Sequence, residues 1–374
     1  MKRLCLIALA AFLLAGCAAT NAAPAAGDTP TAEVTAAAVE IKSADTLSKN
    51  GTYTLTGVID GQVLVTASNV TLILDNASIT CADGSAILGD DGDGQKTLQN
   101  LTVELVGSST VSGGEHGIQG KDNLTITGDG SLNVTAVKDG LHAGDTLNFE
   151  SGTVNVLSSY EGVEAAYVNI SGGSLTTHAS DDGVNAASDE DGVTPSVTIS
   201  GGTHFIYANS DGIDSNGTLD ITGGTVAVLI NAPRDGQTFD ADRPATVLPT
   251  LYLNGQFAAG DIITVADFEV TLDAPVTAAA LVLPGLTDGT AYSVKLNGSE
   301  YQTVTATTAV AAGMGAGMGA GFGGGGNRGG TRPAGDMPEW NGEAPPNGQP
   351  NGNFGGRGER GNAPAAPNAA IGGA

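Results

Sequence analysis

The sequence predicts an all-β fold: a single-stranded right-handed parallel β-helix with a small C-terminal antiparallel β unit and a disordered tail. Two repeating patterns support this prediction. A five-residue phrase with glycine in second place recurs along the chain, and its glycines at 140, 162, 183 and 212 are 22, 21 and 29 residues apart. Between the phrases, short segments alternate apolar and polar residues and stop at glycine, as strands with one face in a core do. Repeats this short must stack on one another to bury their apolar side chains.

The recurring phrase consists of an acidic residue, a glycine, an aliphatic residue, an outward polar residue and a small residue. A weaker copy begins at His116, one repeat upstream. The longest spacing, 29 residues between the glycines at 183 and 212, contains an inserted polar loop around residues 188–194. The full copies are Asp139–Ala143, Glu161–Ala165, Asp182–Ala186 and Asp211–Ser215.

The first residues are predicted to be an export signal. Lys2 and Arg3 precede an apolar run, Leu4–Leu14, that is too short to span a bilayer. The run ends in Leu-Ala-Gly-Cys, which resembles a lipobox, so we expect residues 1–16 to be a lipoprotein signal peptide and Cys17 to be lipidated. An ordinary cleaved signal that contains a cysteine is the alternative. The lipoprotein interpretation implies a secreted protein, lipid-anchored at the cell surface.

Composition divides the remainder of the chain. Residues 17–39 are rich in Ala, Thr and Pro and are predicted to be a flexible tether. Residues 40–232 carry the repeats, and residues 245–308 are predicted to form a C-terminal β cap with hairpin turns at Asn254 and Asn297, each followed by glycine. Residues 311–374 have a low-complexity composition rich in Gly, with Met, Asn, Pro and Arg, and are predicted to be disordered.

The charge of the chain limits its partners. The formal net charge is −26 and the isoelectric point is near 4.1. Such a surface disfavours nucleic acid and anionic membrane as partners and favours divalent cations. We therefore expect no nucleic acid partner and contact with the membrane only through the lipid anchor.

The acidic phrases predict calcium sites. Consecutive strands of a stack lie about 4.8 Å apart, and calcium holds oxygens at about 2.4 Å, so one ion fits between neighbouring repeats. Stacked carboxylates would repel one another without a cation between them. Asp-Gly also makes ordinary turns, but turns do not account for the second oxygen-bearing side chain of each phrase. The predicted metal ligands are Asp139, Glu161, Glu164, Asp181, Asp182, Asn185, Asp211 and Asp214.

The order of these segments resembles a known family. Residues 117–128 and 211–224, followed by the β cap and a Gly/Met-rich tail, are similar to the bacterial carbohydrate-binding β-helix family, whose members resemble pectate lyases in fold. The resemblance covers the chain from about Ile41 to the tail. It implies calcium in the helix and non-catalytic binding of plant cell-wall polysaccharides, acidic such as polygalacturonate or neutral such as cellulose.

An enzyme is the competing class. Calcium-dependent lyases pair the acidic cluster with a Lys or Arg base, and no Lys or Arg occurs between Asp139 and Pro233. Hydrolases of the polygalacturonase type need paired carboxylates, which this chain has, but their Gly-His-Gly and Arg-x-Lys segments are missing. We therefore predict a non-enzymatic binding protein. A pectate lyase, a polygalacturonase-type enzyme and a purely structural adhesin are the alternatives.

One outward strand face predicts where a sugar chain would bind. Phe205 and Tyr207 lie on the same outward face in a chain with only 4% aromatic residues, and exposed apolar patches mark interaction sites. His178 and Tyr160 nearby add hydrogen-bonding groups. The alternative is that the C-terminal β unit or the inserted loop packs over these aromatic rings.

Overall fold

The computed structural model describes residues 38–90, 92, 98–232 and 236–310. The predictions for the signal peptide, Cys17, nearly all of the tether and the tail 311–374 lie outside these residues. Every described residue belongs to one compact unit, which lies within residues 1–318. None of the described residues forms a helix long and apolar enough to cross a membrane.

The prediction of an all-β protein is confirmed, because the regular structure in the described residues consists of 31 strands. In chain order they are β1 (Val39–Ile41), β2 (Thr46–Leu47), β3 (Gly51–Asp60), β4 (Val63–Val65), β5 (Asn69–Cys81), β6 (Ile87–Gly89), β7 (Asn100–Val106), β8 (Ser108–Gly113), β9 (Ile118–Gly120), β10 (Asn123–Gly128), β11 (Ser131–Ala136), β12 (Leu141–Ala143), β13 (Thr146–Phe149), β14 (Thr153–Ser159), β15 (Val163–Ala165), β16 (Tyr167–Ile170), β17 (Ser174–Ala179), β18 (Val184–Ala186), β19 (Ser196–Ile199), β20 (Thr203–Ala208), β21 (Ile213–Ser215), β22 (Thr218–Ile221), β23 (Thr225–Ile230), β24 (Phe239–Ala241), β25 (Thr246–Val247), β26 (Thr250–Phe257), β27 (Ile262–Val265), β28 (Phe268–Thr271), β29 (Val276–Val282), β30 (Ala291–Leu296) and β31 (Ser299–Thr305).

Many of these strands form parallel ladders that follow the sequence repeat. One ladder contains β7, β10, β13, β16, β19 and β22, and a second contains β8, β11, β14, β17, β20 and β23. A separate nine-stranded parallel sheet contains the short strands β2, β4, β6, β9, β12, β15, β18, β21 and β24. Leu124, Leu147 and Val168 lie in register in the first ladder and are fully buried. The repeat thus stacks equivalent apolar side chains in one core.

The predicted fold class is nevertheless wrong at the level of sheet topology. The largest sheet has 18 strands, is nearly closed and is mixed, because β29 pairs antiparallel with β23 on one side and with β26 on the other. The C-terminal strands are therefore hydrogen-bonded into the main sheet. A single-stranded right-handed parallel β-helix with a separate C-terminal β unit does not describe this arrangement.

The composition of β23 gives the physical reason for this difference. Every residue from Val226 to Ile230 is buried, so both faces of β23 are apolar. A strand of this kind needs cover on both faces and a partner at its edge. β29 supplies the partner, with Val226 opposite Val282 and Ile230 opposite Ala278.

The C-terminal strands also build a second hydrophobic core. Tyr207 and Leu229, on the outer face of β20 and β23, pack in one cluster with Leu251, Leu253 and Ile263. Strands β28, β27, β30 and β31 form a four-stranded antiparallel sheet in this region. The outer face of β20 and β23 is therefore covered.

The two predicted hairpin turns have different outcomes. Asn297 and Gly298 have φ of 52° and 77° and connect β30 to β31, as a two-residue hairpin turn requires. Asn254 and Gly255 lie inside β26, where the register with β29 shifts before Phe257. The predicted turn at Asn254 is wrong, because Asn-Gly in a strand can also form an irregularity of the ladder.

Candidate functional site

The nine-stranded sheet stacks the recurring phrases on one another. Leu141, Val163 and Val184 are in register and fully buried, so the following residue of each phrase points away from the core. These following residues form a column of His142, Glu164, Asn185, Asp214 and Asp240. The first acidic residue of each phrase forms a second column beside it, consisting of Asp139, Glu161, Asp182 and Asp211.

The glycine of each phrase lets neighbouring repeats approach closely. A Cβ on Gly140 would lie 2.6 Å from Cγ1 of Val156 and 2.7 Å from the carbonyl oxygen of Gly162. Both distances are shorter than a real Cβ contact, so only glycine fits. The close approach is what brings the side chains of successive phrases within reach of one another.

The predicted metal ligands are largely withdrawn from solvent. Asp139, Glu161, Asp182 and Asn185 are 4, 8, 8 and 9% exposed. Glu164, Asp181, Asp211 and Asp214 are half-buried. Burying this many carboxylates is costly unless each one is paired, protonated or bound to a cation.

The structure brings five of the predicted ligands into two tight groups. The oxygens of Asp139, Glu161 and Glu164 lie within 4.8 Å of one another, and so do those of Glu161, Asp181 and Asp182. Asp211 and Asp214 are not part of these two groups. Oδ1 of Asp182 instead accepts a 2.8 Å hydrogen bond from the backbone N–H of Asp211.

We call the two neighbouring columns together the acidic column. Burial and repulsion between like charges determine the pKa values of its carboxyl groups. Burial, together with the charges of Glu164 and Asp139, raises the pKa of Glu161 to about 9. Burial and neighbouring carboxylates raise the pKa of Asp182 to about 7 and that of Asp214 to about 7. They also raise the pKa of Asp211. Near neutral pH Glu161 therefore holds a proton that a divalent cation would displace.

Two buried oxygens indicate that the column fits calcium. Oε2 of Glu161 and Oδ1 of Asn185 are buried and have no hydrogen-bond partner. An unsatisfied buried polar atom costs about 1–3 kcal/mol. Calcium takes six to eight oxygen ligands from carboxylates and amide carbonyls, and Glu161, Asp181, Asp182 and Asn185 offer only such donors on this side of the column.

The upstream end of the column has a different composition. Nδ1 of His116 and Nδ1 of His142 each lie 2.9 Å from Oδ2 of Asp139, and Nδ1 of His142 lies 3.4 Å from Oε2 of Glu164. Burial would lower the pKa of His142, but hydrogen bonds with Asp139 and Glu164 raise it to about 9. Burial would raise the pKa of Asp139, but hydrogen bonds with both histidines hold it well below its usual range.

Sequence reasoning did not select His116 or His142 as site residues. His142 was visible in the outward column. His116 occupies, in the weaker upstream copy of the phrase, the position that Asp139 holds in the next copy. Alignment of that weak copy with the others is the signal that identifies it.

The predicted aromatic platform is not an open surface. Tyr207 is 4% exposed, its ring stacks on His178 with centroids 4.6 Å apart, and its hydroxyl accepts a 3.1 Å hydrogen bond from the N–H of Asp273. Phe205 packs against the second core. Of the two arrangements that the sequence left open for this pair, the structure has the covered one, because the C-terminal strands pack over the outer face of β20. Tyr160 is 46% exposed, and its hydrogen bond to Asp181 raises its pKa.

A groove of about 230 Å³ lies beside the acidic column. Its lining includes Leu157, Ser159, His178, Tyr207, Asn209 and Pro275. Ser159 and Asn209 stand two residues before Glu161 and Asp211, so this part of the groove is close to the acidic residues along the chain, although none of them lines it. Leu157 is 54% exposed, and the groove therefore combines an apolar wall, an imidazole and amide groups.

The fold and this site define an all-β protein of stacked repeats, with an acidic column and a groove of mixed apolar and polar lining. Residues 42–275 match the model of the family of carbohydrate-binding domain-containing proteins. The match covers more than half of the chain, and the chain belongs to this family. The predicted resemblance to a carbohydrate-binding family is confirmed at that level.

The chain is also similar to one solved structure. It is the polysaccharide lyase-like protein from C. thermocellum in a gadolinium derivative, with 24% sequence identity and a TM-score of 0.49. The alignment covers 54% of this chain and 86% of that chain. No match was found among curated proteins.

Proposed function

We propose that this chain is a non-catalytic polysaccharide-binding protein that uses calcium on the acidic column to hold an acidic plant cell-wall glycan such as polygalacturonate. A neutral glycan such as cellulose is the second choice of ligand. Membership of the carbohydrate-binding family supports a polysaccharide partner. Attachment to the outer face of a membrane through lipidated Cys17 is part of the same proposal.

The observation that carries the calcium part is the buried, unpartnered Oε2 of Glu161. It belongs to the group of Glu161, Asp181 and Asp182, whose oxygens lie within 4.8 Å of one another, and Asn185 adds an amide oxygen. These residues would hold the ion. Calcium, when bound, supplies positive charge that offsets the repulsion among them.

Charge balance favours a bridging role for the metal. A chain of −26 formal charge must hold a polyanion against mutual repulsion, and it has no Lys or Arg between Asp139 and Pro233. A cation at the edge of the groove is the available source of attraction. His178 and the exposed ring of Tyr160 then contact the sugar, since both lie beside the column.

The absence of a basic side chain in the same stretch also supports a non-catalytic role. Proton abstraction next to a uronate carboxyl needs a positioned base, and the repeats around the groove carry no Lys or Arg. In sequence, Lys138 directly precedes this stretch and Arg234 directly follows it. Lys138 is paired with Glu115 at 2.8 Å, on the upstream side of the column.

A glycan-binding panel tests this proposal. The full chain is incubated with polygalacturonate, cellulose and a neutral xylan, each with millimolar calcium and with excess chelator. We expect retention on polygalacturonate in calcium and its loss in chelator. Retention that does not change with chelator contradicts the calcium bridge, and release of unsaturated uronate products contradicts the non-catalytic role.

A further inference from the structure

We propose that His116, Asp139, His142 and Glu164 form a zinc site, distinct from the calcium site proposed at Glu161, Asp181, Asp182 and Asn185. The four residues lie on three successive repeats at the upstream end of the column. The proposal does not depend on polysaccharide binding and goes beyond the proposed function.

The donor set of this cluster differs from the rest of the column. The ligand atoms of His116, Asp139 and His142 lie within 4.8 Å of one another, and Glu164 adds a carboxylate 3.4 Å from His142. Glu161, Asp181 and Asp182, by contrast, offer oxygens alone. Imidazole suits zinc and is not a ligand that calcium prefers. Two histidines with two carboxylates make a complete four-ligand zinc set.

The spacing of the donor atoms also matches zinc. Around a tetrahedral ion with bonds of about 2.0 Å, neighbouring ligand atoms are about 3.3 Å apart. Oδ2 of Asp139 lies 2.9 Å from Nδ1 of each histidine, and Oε2 of Glu164 lies 3.4 Å from Nδ1 of His142. A small inward or outward adjustment of each side chain seats an ion among them.

Hydrogen bonding around His116 leaves a place for a cation. Nδ1 of His116 lies 2.9 Å from Oδ2 of Asp139 and 3.4 Å from the backbone nitrogen of the same residue. In the metal-free protein a proton lies between the ring nitrogen and the carboxylate, and a cation would take the place of that proton. His116 is 7% exposed and Asp139 is 4% exposed, so bulk water does not screen this contact.

The two imidazoles also lie against each other. The ring centroids of His116 and His142 are 4.6 Å apart, and the ring planes are tilted by 39°. Both rings therefore lie close enough to share one ion with the carboxylate of Asp139.

Zinc titration of the full chain tests this site. The metal-free protein is titrated with zinc in excess calcium, and cobalt is used as a spectroscopic substitute. We expect one zinc to bind despite the calcium, and we expect cobalt to give the intense visible absorption of a tetrahedral site. Cobalt that shows only weak octahedral bands, or zinc that calcium displaces at equal concentration, overturns the proposal.

Matched variants identify the ligands. H142Q places at this position the residue that the preceding repeat carries in register, Gln119, so the fold should tolerate it. H142Q and H116Q should each lower zinc affinity at least about 10-fold, as loss of a group that supports a metal site does. H178Q, which removes an imidazole outside the cluster, should leave zinc affinity unchanged. Equal zinc affinity in the wild type and all three variants overturns the assignment.

Thermal melting separates this proposal from the calcium proposal. Zinc should raise the melting temperature of the wild type and not that of H142Q, while calcium should raise both. If zinc does not raise the melting temperature of the wild type while calcium does, only the zinc site is contradicted. Loss of the calcium effect, with zinc stabilisation retained, overturns only the calcium column.

Discussion

Glu161 is the central carboxyl group of the acidic column. Its side chain belongs to both carboxylate groups, is 8% exposed and has an unpartnered oxygen. Burial raises its pKa to about 9, so in the metal-free protein it is neutral at pH 7. The same side chain therefore binds a proton or a metal, and the two compete.

A pH dependence of stability follows for the metal-free protein. The folded state holds a proton on Glu161 up to about pH 9, whereas the ordinary pKa is 4.5. The folded state thus binds more protons, and the free energy of unfolding falls as pH rises between these values. Asp182 and Asp214 add to the fall between pH 3.8 and about 7. Thermal melts in chelator should show this decline, and a melting temperature that rises over the range contradicts the account.

The variant E161Q tests the residue directly. A neutral amide of the same shape cannot ionise, so the decline between pH 4.5 and about 9 should become smaller. Calcium affinity should fall roughly 10-fold or more, which is about 1.4 kcal/mol. E150Q, at an exposed position outside the column, makes the same chemical change and should behave as wild type. If calcium affinity were equal in the two variants, Glu161 would not be a ligand.

The short strands of the nine-stranded sheet position the site, and the sequence predicted them well. The spacing of the phrases gave the outward column, and the register of His142, Glu164 and Asn185 is as expected. Which carboxylates meet was not predictable, because Asp182 turns to the backbone N–H of Asp211. That choice depends on side-chain packing in three dimensions, not on periodicity.

A glycine substitution tests how the strands hold the column. In G140A the new methyl group meets Cγ1 of Val156 and the carbonyl oxygen of Gly162, so the repeats must separate. We expect a loss of about 1–3 kcal/mol in the free energy of unfolding, measured by urea denaturation. In G84A the nearest atom is the end of the Gln62 side chain at 3.1 Å, which can move. Equal losses in both variants would show that the close approach at Gly140 is not a constraint.

At the scale of the whole molecule, the repeat pattern did not allow the mixed parallel and antiparallel topology of the main sheet to be predicted. The alternating pattern of β20 correctly predicted that Phe205 and Tyr207 lie on the outer face of the strand. It could not predict that β26 and β29 join the main sheet and cover that face. Pairing between distant strands depends on which edges and apolar faces remain open after the repeats have stacked.

Deletion of the C-terminal strands tests the mixed sheet. A chain that ends at residue 244 loses β29, the antiparallel partner of β23, and exposes Tyr207, Ala227 and Leu229. We expect aggregation or loss of the cooperative thermal transition, because a bare apolar edge strand is an aggregation site. A soluble, cooperatively melting product would instead show that these strands are a separable cap.

The binding of polygalacturonate as a function of calcium tests the central claim most directly. Isothermal titration with the full chain compares wild type, D182N and E150Q in millimolar calcium and in excess chelator. The amide side chain of the D182N variant keeps an oxygen for the N–H of Asp211 but removes one charge from the column. We predict that chelator weakens wild-type binding at least about 10-fold, that D182N in calcium is weakened similarly, and that E150Q matches wild type. Wild-type affinity that is the same with and without calcium would contradict the account.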